Sequence, residues 1–160
     1  MRRKDKEIID FEEIRGVIEK CSILHLGLLD QGKPYIVPVN FGVSFENQKI
    51  IFYFHGAPEG KKYELMKQES QIVFEAEYYQ GVLKRDEALP CKWTASYASV
   101  MGEGQVKILE TQEEKITAMQ VILERHGYQG STHAYEQAIS SIALFALEVD
   151  KISCKAGGML

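Results

Sequence analysis

The run Ile50-Ile51-Phe52-Tyr53-Phe54-His55 is apolar, rich in β-branched and aromatic residues, and ends at Gly56-Ala57-Pro58-Glu59-Gly60-Lys61-Lys62. It reads as a buried strand that turns sharply and feeds a helix. The helix is expected to open at Pro58, whose missing N–H would be unpaired in a first turn anyway. Lys61 and Lys62 then fall at the electropositive end of the helix dipole, where cations are disfavoured. Two ammonium groups beside free backbone N–H groups make a socket for an anion, most simply a phosphate. A lysine pair on a helix is commonly just solvated. The weight here comes from Gly56 and Gly60, which let backbone and ligand approach closely.

Around this junction the chain reads mostly as strands. Asp10-Phe11-Glu12-Glu13 resembles a capping box and leads into Ile14, Val17 and Ile18 at helical spacing, a short helix ending near Lys20. Ser22 to Leu29 reads as a strand, Asp30 to Pro34 as a turn, and Tyr35 to Phe45 as a second strand. With Ile50–His55 these form an antiparallel meander. Pro38 cannot donate to a ladder, so its strand lies at an edge or bulges there. A helix from Pro58 to about Gln68 buries Leu65 and Met66. Gln71 to Tyr79 is a strand, Gln80 to Pro90 a polar loop, and Lys92 to Leu109 a long strand bent near Gly102 and Gly104. Thr111-Gln112-Glu113-Glu114 caps a helix ending near His126, Tyr135 to Ser141 is a short helix, and Ile142 to Ser153 the last strand. Many strands with few peripheral helices predict a mainly β (α+β) protein, a closed or split β-barrel of antiparallel Greek-key type.

One domain covers residues 1–160, the helical segment 1–20 included; 45% hydrophobic and 26% charged residues suit an ordinary globular core. A net charge of −4 argues against a nucleic-acid partner. Cys21, Cys91 and Cys154 have no C-x-x-C spacing and read as reduced thiols of a cytoplasmic protein, Cys91 as a buried one. The charged start, Met1 to Glu7, has no apolar segment behind it, so no signal peptide and no membrane anchor are expected.

Tyr35-Ile36-Val37-Pro38-Val39-Asn40-Phe41 and the block His55-Gly56-Ala57-Pro58-Glu59-Gly60-Lys61-Lys62 together resemble the pyridoxamine-5′-phosphate-oxidase-like flavin-binding split barrels, and within them the nitroimidazole-resistance branch. Cys91, the stretch Tyr97-Ala98-Ser99-Val100-Met101-Gly102-Glu103-Gly104, and the closing Val149 to Lys155 support the likeness. The resemblance implies a homodimer with FMN, or alternatively FAD, at the subunit interface. It implies cofactor contacts from Val37, Pro38, Val39 and Asn40 along the ring edge. It places the flavin phosphate at His55, Gly56, Ala57, Lys61 and Lys62, and adds contacts from Tyr97, Ser99 and Val100. It also sets His55 near the flavin as the catalytic candidate.

A flavin needs a cationic, N–H-rich pocket for its phosphate, backbone donors and acceptors along the ring edge, and apolar or aromatic faces for the ring. Lys61 and Lys62 fit the first need and the interrupted ladder at Pro38 the second. Trp93, Tyr97 and Phe41 are candidates for the third. An imidazole with a pKa near ~6.5 could donate a proton or polarise an electrophile at neutral pH, and capping the strand end is the structural alternative for His55. His25, His126 and His133 show no metal-ligand spacing with one another or with the cysteines, so no metal is expected. Asp86 and Glu87 read as solvated. The serines lack a nucleophile elbow, and Gly102-Glu103-Gly104 is not a dinucleotide fingerprint. The expected function is flavin-dependent reduction of a small electron-poor substrate such as a 5-nitroimidazole. A pyridoxamine 5′-phosphate oxidase is the second reading, weakened because the Lys151–Leu160 tail lacks residues to recognise pyridoxal phosphate. A non-catalytic flavin or haem binder is the third.

Overall fold

The computed structural model describes residues 3–158. Met1 and Arg2 of the charged start, and Met159 and Leu160 of the tail, lie outside them. The elements are β1 (Glu7–Ile8), α1 (Phe11–Lys20), β2 (Leu24–Asp30), β3 (Lys33–Val39), β4 (Gly42–Glu46), β5 (Lys49–Gly56), α2 (Lys61–Gln68), β6 (Gln71–Leu83), β7 (Thr94–Ile108), α3 (Gln112–Arg125), α4 (Glu136–Ile139) and β8 (Ala143–Gly157).

All strand pairs are antiparallel, in the order β3-β2-β6-β7-β8-β5-β4, with β1 alongside β8. The two ends of this order decide the architecture. β3 and β4 lie at opposite edges, yet only Asn40 and Phe41 join them. Two residues cannot cross a flat sheet whose neighbouring strands lie ~4.8 Å apart. The sheet therefore curls until its edges meet at that link. β3 and β4 do not pair where they meet, so the barrel is split rather than closed. The expected single strand from Tyr35 to Phe45 is thus two strands that diverge at Asn40, and the expected meander breaks there. Pro38 lies on the edge strand β3, as its missing N–H requires.

The barrel interior follows from period-2 alternation. Leu24, Leu26 and Leu28 of β2, Ile50, Phe52 and Phe54 of β5, and Ile72, Phe74 and Ala76 of β6 all point inward. Phe52 makes edge-to-face contacts with Phe41 and Phe74 at 5.4 and 5.2 Å between ring centroids. α1 adds Ile14, Val17 and Ile18 to this core, and its first turn is held by Asp10, whose carboxylate accepts from the Glu13 N–H. A second cluster lies outside the barrel, where Ala118, Met119 and Ile122 of α3 meet Leu109, Ile139, Leu144 and Ala146. The Thr111–Glu114 capping box that starts α3 is formed in both directions. The bend expected near Gly102 and Gly104 is a register shift between Glu103 and Gly104 in the β7–β8 ladder.

Candidate functional site

α2 begins at Lys61, not at Pro58. Pro58 and Glu59 form a bend, and Gly60 is the N-cap with φ 95°, a backbone shape that favours glycine. The later start places Lys61 and Lys62 in the first two helical positions, among the N–H groups that no helical carbonyl satisfies.

The two ammonium groups meet different surroundings. Lys61 reaches back to the tip of the β2–β3 hairpin, where its Nζ lies 2.5 Å from the Asp30 carboxylate and 4.7 Å from the Tyr35 ring centroid. Hydrogen bonding to Asp30 raises the Lys61 pKa above its ordinary value. Lys62 is half-buried and has no carboxylate partner among the described residues. Its Nζ donates to the His55 carbonyl at 3.3 Å and lies 5.9 Å from the centroid of Phe145. Burial pushes its pKa below the usual lysine value. Gly56 makes room for it, since a Cβ there would stand 2.6 Å from Lys62 Nζ.

His55, the last side chain of β5 before Gly56, is exposed. Its pKa lies below the ordinary histidine value, first through partial burial, then through the nearby Lys62 and His126, so the imidazole is neutral at pH 7. His126 caps the C-terminus of α3. With Asn40 and Arg125 it lines a cleft of about 290 Å³ at the end of α1. The Arg125 guanidinium donates to the carbonyls of Ile18 and Cys21 at 2.9 and 2.7 Å and covers the Phe41 ring, which ties α3 to the C-terminal end of α1.

Of the expected cofactor contacts, Lys61, Lys62, Gly56, Ala57 and His55 cluster at the junction of β5 and α2. Val37, Pro38, Val39 and Asn40 occupy the unpaired edge beside the split. The side chains of Val37 and Val39 pair in register with Leu26 and Leu24 and face the core, so those residues have only backbone to offer a ligand. Tyr97, Ser99 and Val100 stand elsewhere. Tyr97 pairs with Gly157 at the end of β8, whereas Gly56 pairs with Ala143 at its start. The 15 residues of β8 give a contour of roughly 45–50 Å between them. Val100 is wholly in the barrel core, so its side chain meets no ligand.

Several expectations are corrected. Phe41 is fully buried and cannot face a flavin ring. Trp93 stabilises its own loop: its Nε1 donates to the Asp86 carbonyl and Lys84 covers its ring. Asp86 is not merely solvated but accepts from the Ala88 N–H and Lys92 Nζ. Cys91 is exposed, because Pro90–Lys92 is a 3-10 turn and not the start of a strand. Cys21 and Cys154 are the buried thiols, pushed up to about 12 and about 11 by desolvation and so not thiolates.

Strand pairing also assembles what chain spacing hides. His25 on β2 stands opposite Glu75 on β6, and Glu77 follows on the same face. His25 Nδ1 lies 3.2 Å from the Glu75 carboxylate and 3.7 Å from that of Glu77, and it has no hydrogen-bond partner among the described residues. Their ligand atoms lie within 4.8 Å of one another. Desolvation, then the Glu77 carboxylate, push Glu75 up to about 7. Asp30 and His126 were equally hidden. The first reads as a turn former and the second as a helix end; only the turn of the chain around α2 and the docking of α3 bring them to the site.

A half-buried ammonium, free helix N–H groups and a glycine-floored approach suit a phosphate. An unpaired strand edge suits the rim of a planar heterocycle. Fold and site together define a split β-barrel of the flavin-binding kind. The family model described as pyridoxamine 5′-phosphate oxidase matches residues 10–156, and the chain belongs to that family. Its structure is similar to that of a candidate 5-nitroimidazole antibiotic resistance protein from Bacteroides thetaiotaomicron, with a TM-score of 0.78, 27% identity, and 94% of this chain and 86% of that chain covered. It is similar in fold to a flavocytochrome from Azotobacter vinelandii, with a TM-score of 0.75, 17% identity, and 99% and 72% covered. The same holds for an FAD and haem binding protein from Mycobacterium smegmatis, with a TM-score of 0.75, 15% identity, and 96% and 74% covered. No curated protein matches significantly. No helix among the described residues is long and apolar enough to cross a membrane.

Proposed function

We propose that this chain is an FMN-dependent oxidoreductase that works as a cytoplasmic homodimer and reduces a small electron-poor substrate, a nitroaromatic such as a 5-nitroimidazole. The observation that carries the reading is Lys62, a half-buried cation with no carboxylate partner among the described residues, in the first turn of α2, where backbone N–H groups have no helical acceptor. A dianionic phosphate satisfies both. Lys62 and the first N–H groups of α2 hold it, the free edge at Val37–Asn40 aligns the ring, and His55, neutral at pH 7, gives or takes a proton at the exposed face. The bound flavin supplies the electron and hydride transfer.

A second copy completes this site. One protomer cannot bring Tyr97 and Ser99 to its own Lys62, because β8 holds them apart. Leu29, Ile36, Val73 and Met101 lie exposed on one outer face of β3-β2-β6-β7, and an apolar surface of this kind favours burial against another subunit. The similarity to the Bacteroides protein supports a nitroaromatic substrate.

The spectrum of freshly purified protein tests the reading. Flavin absorbance, bleached by NAD(P)H and restored by a nitroimidazole, is the expected result. A Soret band in place of flavin bands would indicate a haem binder. A flavin that does not turn over would indicate a carrier. A colourless protein that takes up no added FMN would end the proposal.

A further inference from the structure

The inequality of the two lysines carries one step beyond this reading, and it rests on the phosphate placement proposed above. Lys61 already holds an anion, the Asp30 carboxylate, at 2.5 Å. Asp30 is the last residue of β2, and the turn after it, with Gln31 and Gly32 at φ 50° and 79°, folds the hairpin so that this carboxylate overhangs the start of α2. In the hairpin register Asp30 stands opposite Lys33, the partner that local sequence offers. The carboxylate nevertheless bridges to Lys61, from a different element, and Lys33 forms no ion pair among the described residues.

We infer that Asp30 is a resident competitor for the ligand's phosphate at Lys61 and so sets how strongly the site prefers phosphorylated over unphosphorylated flavin. A phosphate entering the mouth of α2 meets the ammonium of Lys62, which donates to the His55 carbonyl but has no carboxylate partner among the described residues. To gain Lys61 it must displace Asp30 or share the cation with it, and a carboxylate and a phosphate on one ammonium repel each other. Lys33, across the hairpin, can receive the displaced carboxylate, which keeps the exchange inexpensive. In the placement proposed above the ring lies along Val37–Asn40 and only the phosphate reaches Lys61, so the phosphate-dependent part of binding is the part that responds to Asp30.

Dissociation constants for FMN and for riboflavin, measured by flavin fluorescence on the flavin-free full chain, test this. Asp30→Asn keeps the size of the side chain and removes its charge. The variant is expected to bind FMN about fivefold tighter, and riboflavin within about twofold of the parent, as fits the loss of one partly exposed ion pair and one like-charge repulsion. In a Lys61→Gln background the same Asp30→Asn change is expected to tighten FMN less than in the parent, because only the direct repulsion between carboxylate and phosphate is left to remove. If the parent prefers FMN to riboflavin but Asp30→Asn leaves FMN affinity unchanged or weaker, the competitor role is wrong and the phosphate placement survives. If Asp30→Asn tightens FMN and riboflavin alike, Asp30 acts on the pocket rather than on the phosphate, and the inference fails. If the parent binds both ligands equally, the phosphate placement itself is wrong and the inference falls with it.

Discussion

Lys62 lies over Gly56: its Nζ stands 2.6 Å from the point that a Cβ on residue 56 would occupy. The glycine serves the lysine, letting a half-buried ammonium lie across the end of β5 instead of reaching into water. The atom in the way is the far end of a flexible side chain, so Gly56→Ala should fold normally and express its cost in the ligand. FMN binding is expected to weaken by about 1 kcal/mol, and by about 2 kcal/mol for Lys62→Ala, within the range for a charge-assisted hydrogen bond. Removing Lys61 and Lys62 together should cost roughly 2–5 kcal/mol. Isothermal titration with FMN measures all three. A Lys61→Ala, Lys62→Ala protein with full flavin content would remove the phosphate from this helix.

His55→Ala should retain both fold and flavin while changing turnover. Partial burial, Lys62 and His126 hold the imidazole neutral to lower pH than in a free histidine. A rate that needs neutral His55 should therefore stay level from pH 8 down through the usual histidine range and fall only at more acid pH. The variant should lack that acid limb. An unchanged rate and profile would reduce His55 to a strand-end cap.

Glu75 gives the protein a stability that declines toward alkaline pH. Its carboxyl is pushed up to about 7 by desolvation and by Glu77, whereas an unfolded glutamate titrates near ~4.3. Between these values the folded state binds more protons than the unfolded one, so stability falls as pH rises from about 4.5 to 7 and is level above. Glu75→Gln removes the penalty. It should stabilise the protein at pH 8 by about 1 kcal/mol, after allowance for solvent screening, and by nothing at pH 4. Thermal unfolding at the two pH values checks the sign, and equal effects at both would contradict it.

Ile36 is 67% exposed on the outer face of β3, opposite Gly27 and so beside Val73. Substitution there loses no core contact. Ile36→Asp should leave secondary structure unchanged, convert a dimer to a monomer on light scattering, and lower flavin content, because the partner's contribution would be lost. A parent protein that is already monomeric and fully loaded would separate the cofactor from the second subunit.

Much of the site could be read from local chemistry. The strand Ile50–His55, the turn after it and the two lysines are contiguous, and contiguous residues stay together in any fold. Pro38 announced an edge because a proline without an N–H has no other place in a sheet. Asp30, His126, Glu75 and Glu77 left no such trace. Their roles come from strand register and helix docking, which depend on which strands pair and not on spacing along the chain. Phe41 misled for the same reason: an aromatic beside an edge strand can point either way, and the curl of the sheet turned it inward.

The amino-acid order by itself determined the alternation that makes these strands two-faced, the caps that start α1 and α3, and the pair of lysines at the helix start that follows β5. These are short-range effects, set within a turn or two of chain. Tertiary structure alone decided that the barrel is split at Asn40, that Lys61 carries an internal counter-ion while Lys62 has none among the described residues, and that Tyr97 stands at the opposite end of β8 from the junction that carries Lys61 and Lys62. Each of those depends on how a curled sheet brings distant residues together or holds them apart, and burial of the whole apolar interior, not any local preference, fixes that curl.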